Sequence, residues 1–413
     1  MTPATHKRPT AHRRRATTAR RQSYPDTVIT VPVTVPYERY STHAAHWFAA
    51  RAIAGLLQSS HLEKEAIDGL CLSSFTLAPD TGVGLTQHLG LSLRWLDNIP
   101  LGGASAVVAL RRAARAVQSG DARVVACVAA DTNQIDTFRA TIGGFSQFSQ
   151  DAVVPYGSGG PNASFALLTA HYMREYGARA EDFGKLCVAQ RRNAMDVPFA
   201  LLRKPLTLEE YLNARPIADP LRLYDCVMPC AGAEAFLVMR REHARELGLR
   251  SAAILATMER HNAFPSDPIQ MRGGWALDRD GLYAQAGVQP AQIDFLQTYD
   301  DYPVISLMQM EDLGFCGKGE GPQFVRSHTF TTDGSFPHNT SGGQLSMGQA
   351  GAAGGYVGMT EALRQLTGAP AGRPVAPAGR PEAPARTGLV SGFGMINYDR
   401  GLCCGAAILG ALA

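Results

Sequence analysis

No stretch of this 413-residue sequence approaches the ~18 consecutive apolar residues of a membrane span, and no secretory apolar segment is visible. Acid is missing from residues 1–22, which hold Lys7, Arg8, Arg13, Arg14, Arg15, Arg20 and Arg21. Taking those seven cations from the net charge of +3 leaves −4 for the rest, so the body is mildly acidic and gives little support to nucleic-acid binding. The basic arm, 1–23, has the composition of a transit peptide, of a disordered arm or of an over-extended start. Disorder or a mis-set start is the expectation. Paired metal-ligand spacing is missing too. The eight cysteines are scattered apart from Cys226/Cys230 and Cys403/Cys404, and no second pair completes a zinc ribbon. His43 and His46 stand at i, i+3 without a third ligand. No metal site and no permanently bound cofactor are expected, and a reducing cytoplasm is the expected compartment.

What is present is a long chain with 42 glycines and an internal repeat. Its length exceeds one hydrophobic core, so two domains or a duplicated fold is the prior. Residues 61–75 (HLEKEAIDGLCLSSF) and 287–301 (GVQPAQIDFLQTYDD) both set Ile-Asp after a helical segment and before an apolar strand. Residues 104–120 and 352–368 both read as a small-residue start, a helix-period apolar stripe and a terminal Gly. The reading is a duplicated α/β unit, with halves near 24–245 and 246–413. Arg123–Ala129 is a continuous apolar run, as in a strand buried on both faces. Ala253–Met258 opens the second half in the same way, and Gly388–Ile396 and Gly401–Leu409 are the last strands. Residues 133–222, helical over Leu208–Arg215, are expected to cap the site. Residues 369–385 repeat PAGRP and read as a solvated surface loop.

Four segments carry a family resemblance. NTSGGQLSMGQAGAAGG (339–355) resembles the thiolase signature of Asn, paired glycines, Gly-His and a glycine-rich helix start. GGASAVVALRRAARAVQSGDARVVACVAADT (102–132) resembles the thiolase nucleophile loop, helix and strand. TYDDYPVISLMQMEDLGFCGKGEG (298–321) and PIADPLRLYDCVMPCAGAEAFLVM (216–239) resemble the sterol-carrier-protein-type, or lipid-transfer-protein, branch. The resemblance covers about 27–413. It implies a five-layer αβαβα fold, a homodimer and coenzyme A thioester substrates. Cys-dependent members use one cysteine as acyl acceptor, a histidine to activate it and a second cysteine as acid/base. The aldolase members of the branch work with a small zinc-ribbon/OB-fold partner, and the resemblance implies such a partner here.

The reactive positions depart from that pattern. The nucleophilic Cys falls on Gly103, or on Ala104 if the loop slips by one, and neither can attack a thioester. Ser105 is the nearest hydroxyl; it lacks an evident base and reads first as a helix N-cap, then as a substrate contact. The Gly-His motif reads Gly348-Gln349. A glutamine amide can donate to a thioester oxyanion but cannot take a proton. Val390-Ser391 holds the second cysteine's place, and Cys403 and Cys404 read as core. Tyr299-Asp300-Asp301-Tyr302 stands where the branch places His-Asp-Cys-Phe. Tyr299 and Tyr302 are candidate acid/base or oxyanion groups, or half-buried residues with satisfied hydroxyls. Asp300 and Asp301 can orient a tyrosine, or Asp300 can cap the helix near Val304; Asp300 is carried forward with Tyr299, Tyr302 and Gln349 as a catalytic candidate. Asn339, Gly342, Gly343, Ser105 and His338 are the substrate-binding candidates, the glycines by allowing close approach of the chain. His338 also reads as a packing residue.

Thiolysis needs a covalent acyl-enzyme. Without a nucleophile, retro-aldol cleavage of a β-hydroxyacyl-CoA still needs only a base and an oxyanion hole, so it is the leading expectation. An acyltransferase using another nucleophile and a non-catalytic acyl-CoA- or lipid-binding subunit are the alternatives.

Overall fold

The computed structural model describes residues 24–134, 146–157, 160–397 and 400–412; the basic arm and residues 135–145 of the expected cap lie outside the described residues. Among the described residues there are eleven strands: β1 (Thr27–Glu38), β2 (Gly69–Ser73), β3 (Trp95–Asn98), β4 (Val124–Asp131), β5 (Pro216–Ala218), β6 (Leu221–Arg222), β7 (Ala231–Arg240), β8 (Ser251–His261), β9 (Phe295–Gln297), β10 (Thr387–Asn397) and β11 (Arg400–Ala411). Nine form one sheet in the order β3-β2-β4-β7-β1-β8-β11-β10-β9, and β5-β6 make a separate ribbon.

The order is pseudo-symmetric about the short antiparallel contact of β1 with β8. On one side the sheet continues outward through β7, β4 and β2 to β3, on the other through β11 and β10 to β9. The Ile-Asp echo has a physical basis in this arrangement. Asp68 accepts from the backbone N–H groups of Arg123 and Val124 at 2.8 and 2.9 Å, fixing the start of β4 beside β2. Asp294 accepts from Arg386 and Thr387 at 2.6 and 3.1 Å, fixing the start of β10 beside β9.

Helices Ser105–Ser119 and Val357–Leu366 fill the space between the two half-sheets. Helix Ala45–Ser60 covers the outer face of the first half and helix Trp275–Ala286 that of the second. These are the five layers αβαβα, the thiolase architecture. β4 is buried throughout because it divides two cores: Val124, Ala126 and Val128 face the outer one, and Val125, Cys127 and Ala129 the central one. In β11, Cys403 faces the central core and Cys404 the outer one of the second half.

Over the second half lie helices Gln147–Ala152, Pro161–Tyr176, Ala180–Ala194 and Leu208–Leu212. The last stops three residues before the expected Arg215, because Arg215 precedes Pro216, which disfavours helical backbone. Residues 369–385 contain no helix or strand, but they are pinned as well as solvated: Val375 is buried, Arg373 pairs with Asp196 at 2.5 Å, and Arg380 pairs with Asp294 at 2.6 Å.

Candidate active site

A cavity of about 1300 Å³ opens between the cap helices and the loops at the ends of the central strands. Its floor is the turn before helix Ser105–Ser119, where the chain is Gly102-Gly103-Ala104 and fully buried. A Cβ at Gly103 would lie 2.1 Å from Cε2 of Tyr299, far inside contact distance. The tyrosine ring therefore occupies the space that a side chain at position 103 would need.

The Tyr299 hydroxyl donates to Asp301 Oδ2 at 2.7 Å. The Gln349 amide nitrogen donates to Asp301 Oδ1 at 2.6 Å and to the Tyr299 hydroxyl oxygen at 3.2 Å. All three line the cavity. Burial lifts the Asp301 carboxyl to about 7, with Asp300 adding to the rise and the Tyr299 hydroxyl opposing it. Burial, then the Asp301 charge, holds the Tyr299 phenol far above its ordinary range, so it stays protonated. The result is a buried phenol–carboxylate pair whose acid changes charge near neutral pH.

Tyr302 also lines the cavity, donating to Asn162 Oδ1 at 2.7 Å and stacking on Phe165 with ring centres 4.4 Å apart. Gln349 is held by its backbone, which bonds Met228 and Cys230 across a short parallel bridge. With both amide protons directed at Tyr299 and Asp301, Gln349 supports that pair and is not the free oxyanion donor its sequence position suggests.

Several candidates stand elsewhere. Asp300 points away from the cavity and accepts from the N–H groups of Gln344 and Leu345 at 3.0 and 3.3 Å and from Gln190 Nε2 at 2.9 Å. It caps helix Gly343–Met347, not the helix near Val304, which begins at Pro303 with no side-chain cap. Tyr299 and Asp301 face the cavity, and Asp300 between them turns to the other side. Gly342 and Gly343, both with positive φ, admit protein and not substrate. A Cβ at Gly343 would lie 2.1 Å from Asp300 Oδ2, and one at Gly342 2.6 Å from the Ala194 Cβ.

Ser105 is the first helical residue and not the N-cap. Its hydroxyl donates to the Ile99 carbonyl at 3.0 Å and accepts from the Leu101 N–H at 3.1 Å, stitching the floor turn together. His338 is fully buried outside the cavity, bonded to Thr298 Oγ1 at 2.7 Å, and burial lowers it to about 3, so it is neutral. Asn339 accepts from the Thr298 N–H at 2.8 Å and holds the strand end that leads to Tyr299. Ser391 donates to Gln309 Oε1 at 2.6 Å inside the core.

Asn162 and Asp131 were not singled out by sequence. Asp131 lines the cavity and gathers Ser74, Phe75, Thr76 and Ala352, tying the two halves together at the floor. Its signal, an acid closing an apolar strand, is visible in VVACVAAD. Among the described residues no group of three or more His, Cys, Asp or Glu side chains is placed to hold a metal, and no helix is long and apolar enough to cross a membrane.

Comparison with known proteins identifies the class to which this fold belongs. The thiolase C-terminal domain-like family matches residues 279–402. A 17-hydroxy-3-oxo-4-pregnene-20-carboxyl-CoA lyase of Mycobacterium tuberculosis is 32% identical over 83% of this chain and 91% of its own. A steroid side-chain-cleaving aldolase of Thermomonospora curvata is 32% identical over 79% of this chain and 86% of its own. An acetyl-CoA acetyltransferase of Methanocaldococcus jannaschii is 30% identical over 68% and 73%. A solved structure described as an Ltp2-ChsH2(DUF35) aldolase superposes with a TM-score of 0.76 at 28% identity, covering 94% of this chain and 98% of that one. The chain belongs to the thiolase superfamily, in the branch that holds the sterol-carrier-type thiolases and acyl-CoA aldolases.

Proposed function

We propose that the chain is an acyl-CoA lyase that cleaves a β-hydroxyacyl-CoA by retro-aldol chemistry. The observation that carries this reading is the Tyr299–Asp301–Gln349 cluster standing where a nucleophile would need room. The substrate hydroxyl gives its proton to the Tyr299 oxygen as the phenol proton moves to Asp301. The C–O bond becomes a carbonyl, the Cα–Cβ bond breaks, and its electron pair enters the thioester enolate. Return of the proton to Cα yields a ketone or aldehyde and a shortened acyl-CoA, so atoms and charge balance. Tyr302 is assigned to steady the oxygen on which charge develops, which requires its hydroxyl to turn from Asn162 toward the substrate.

The cavity is larger than the ~300–1,000 Å³ usual for small-molecule sites, which favours a bulky acyl part alongside pantetheine. The steroid-cleaving activities for which two relatives are named favour a steroid side chain. A small zinc-ribbon/OB-fold partner is supported by a structural neighbour whose description joins ChsH2(DUF35) to the aldolase. We also assign a homodimer, and a reducing cytoplasm, in keeping with eight unpaired cysteines.

The acyltransferase alternative needs a reactive thiol. Cys226 and Cys230 line the cavity, but burial raises both, Cys226 to about 12, so neither is an activated thiolate. The test is product analysis with a β-hydroxyacyl-CoA. A carbonyl product that survives iodoacetamide and is lost in Tyr299→Phe supports the lyase. Inactivation with one labelled cysteine supports the acyltransferase, and tight binding without turnover supports a binding subunit.

A further inference from the structure

Among the described residues several buried acids have a cation within ion-pair distance, whereas one buried cation on the cavity wall has no carboxylate so placed. Glu311 and Asp312 share Lys318 at 2.9 and 2.8 Å, and Asp182 pairs with Arg326 at 2.6 Å. Arg191, on helix Ala180–Ala194, is 6% exposed and lines the cavity. Its Nε donates to Ser346 Oγ at 3.2 Å and its Nη1 to the Lys204 carbonyl at 3.4 Å, and its guanidinium carbon lies 5.6 Å from the Tyr224 ring centre. These hydrogen bonds use two of its five N–H donors. No carboxylate forms an ion pair with it among the described residues; the one acid acting on it is Glu210, on the exposed turn of helix Leu208–Leu212 and already committed to Thr207. A guanidinium removed from water without a counter-ion is unfavourable unless a ligand supplies the anion. Arg215, exposed on the same wall, extends the positive field toward the mouth.

We propose that Arg191 is the anchor for a phosphate group of the coenzyme A moiety, with Arg215 assisting at the mouth. The assignment rests on the reading that the chain takes acyl-CoA thioesters. Planar guanidinium matches two phosphate oxygens at once, and the Ser346 and Tyr224 contacts fix its orientation before the ligand arrives. The bound phosphate gives Arg191 the counter-ion that no carboxylate among the described residues supplies.

The test is calorimetric binding to the full chain, with no turnover required, so it separates from the lyase reading. Coenzyme A, 3′-dephospho-coenzyme A and phosphate-free pantetheine are titrated into wild type, Arg191→Gln, Arg191→Lys and Arg215→Gln. Arg191→Gln is expected to weaken coenzyme A about tenfold to a hundredfold, the range of a charged hydrogen bond, and to leave pantetheine unchanged. Arg191→Lys is expected to fall between, keeping the charge and losing the fork. If the loss persists with 3′-dephospho-coenzyme A the diphosphate is the group held, and if it vanishes the 3′-phosphate is. Equal weakening of coenzyme A and pantetheine, unchanged coenzyme A affinity, or no measurable affinity of wild type for coenzyme A would each overturn the proposal. If Arg191→Gln does not fold, Arg191→Lys and Arg215→Gln decide by the same comparison.

Discussion

At the scale of single residues the proposed lyase chemistry turns on the tyrosine ring in the volume above Gly103. Gly103→Ala is expected to displace that ring and lower kcat at least tenfold while the fold persists, checked by turnover and circular dichroism. Tyr299→Phe removes the proton carrier and is expected to lower kcat by 10²–10⁴, the usual worth of general acid–base catalysis, with substrate affinity within a few-fold. Asp301 titrates at about 7, so as a proton acceptor it works deprotonated. Activity should rise with pH through about 7, and Asp301→Asn should abolish that limb in a pH–rate profile. Tyr299, Tyr302 and Gln349 were legible because the family motifs place them, and all three reach the cavity. The choice between Asp300 and Asp301 was not legible, since only the direction each side chain takes in the folded loop separates them. Arg191 carried no motif, because an unmatched charge exists only once three elements fold around it.

At the scale of elements, the Ile-Asp echo was visible as a repeated pair, but its purpose needed the sheet. Asp68 and Asp294 each hold the first N–H groups of a neighbouring strand. Asp68→Ala and Asp294→Ala are expected to destabilise by similar amounts, about 1–3 kcal/mol for donors left unpaired, measured by urea unfolding. The strands themselves read well because an apolar run such as β4 fits only between two cores. Helix ends read less well. The turn at Leu212 and the cap of helix Gly343–Met347 depend on Pro216 and on Asp300 arriving from 43 residues earlier in the chain, at Gln344 by a sequence separation of 44. A periodicity argument sees neither.

At the scale of the whole molecule, acids buried at the seam of the two halves make stability depend on pH. Burial holds the Asp301 carboxyl at about 7 against an ordinary 3.8, so between those values the native state binds more protons than the unfolded chain. Its contribution is present in full below 3.8 and is lost as pH rises through about 7. The melting temperature of wild type relative to Asp301→Asn should therefore fall between pH 4 and pH 8. The duplicated frame was open to sequence through its repeats and glycine signature. The cavity was not, because its walls come from the cap, from β10 and from the floor turn together. The most direct measurement is mass-spectrometric product analysis of a β-hydroxyacyl-CoA incubated with wild type and Tyr299→Phe. The account predicts a ketone or aldehyde and a shortened acyl-CoA in equal amounts from wild type, falling at least a hundredfold in the variant. Equal product from both proteins, or an acylated cysteine in place of a carbonyl product, would contradict it.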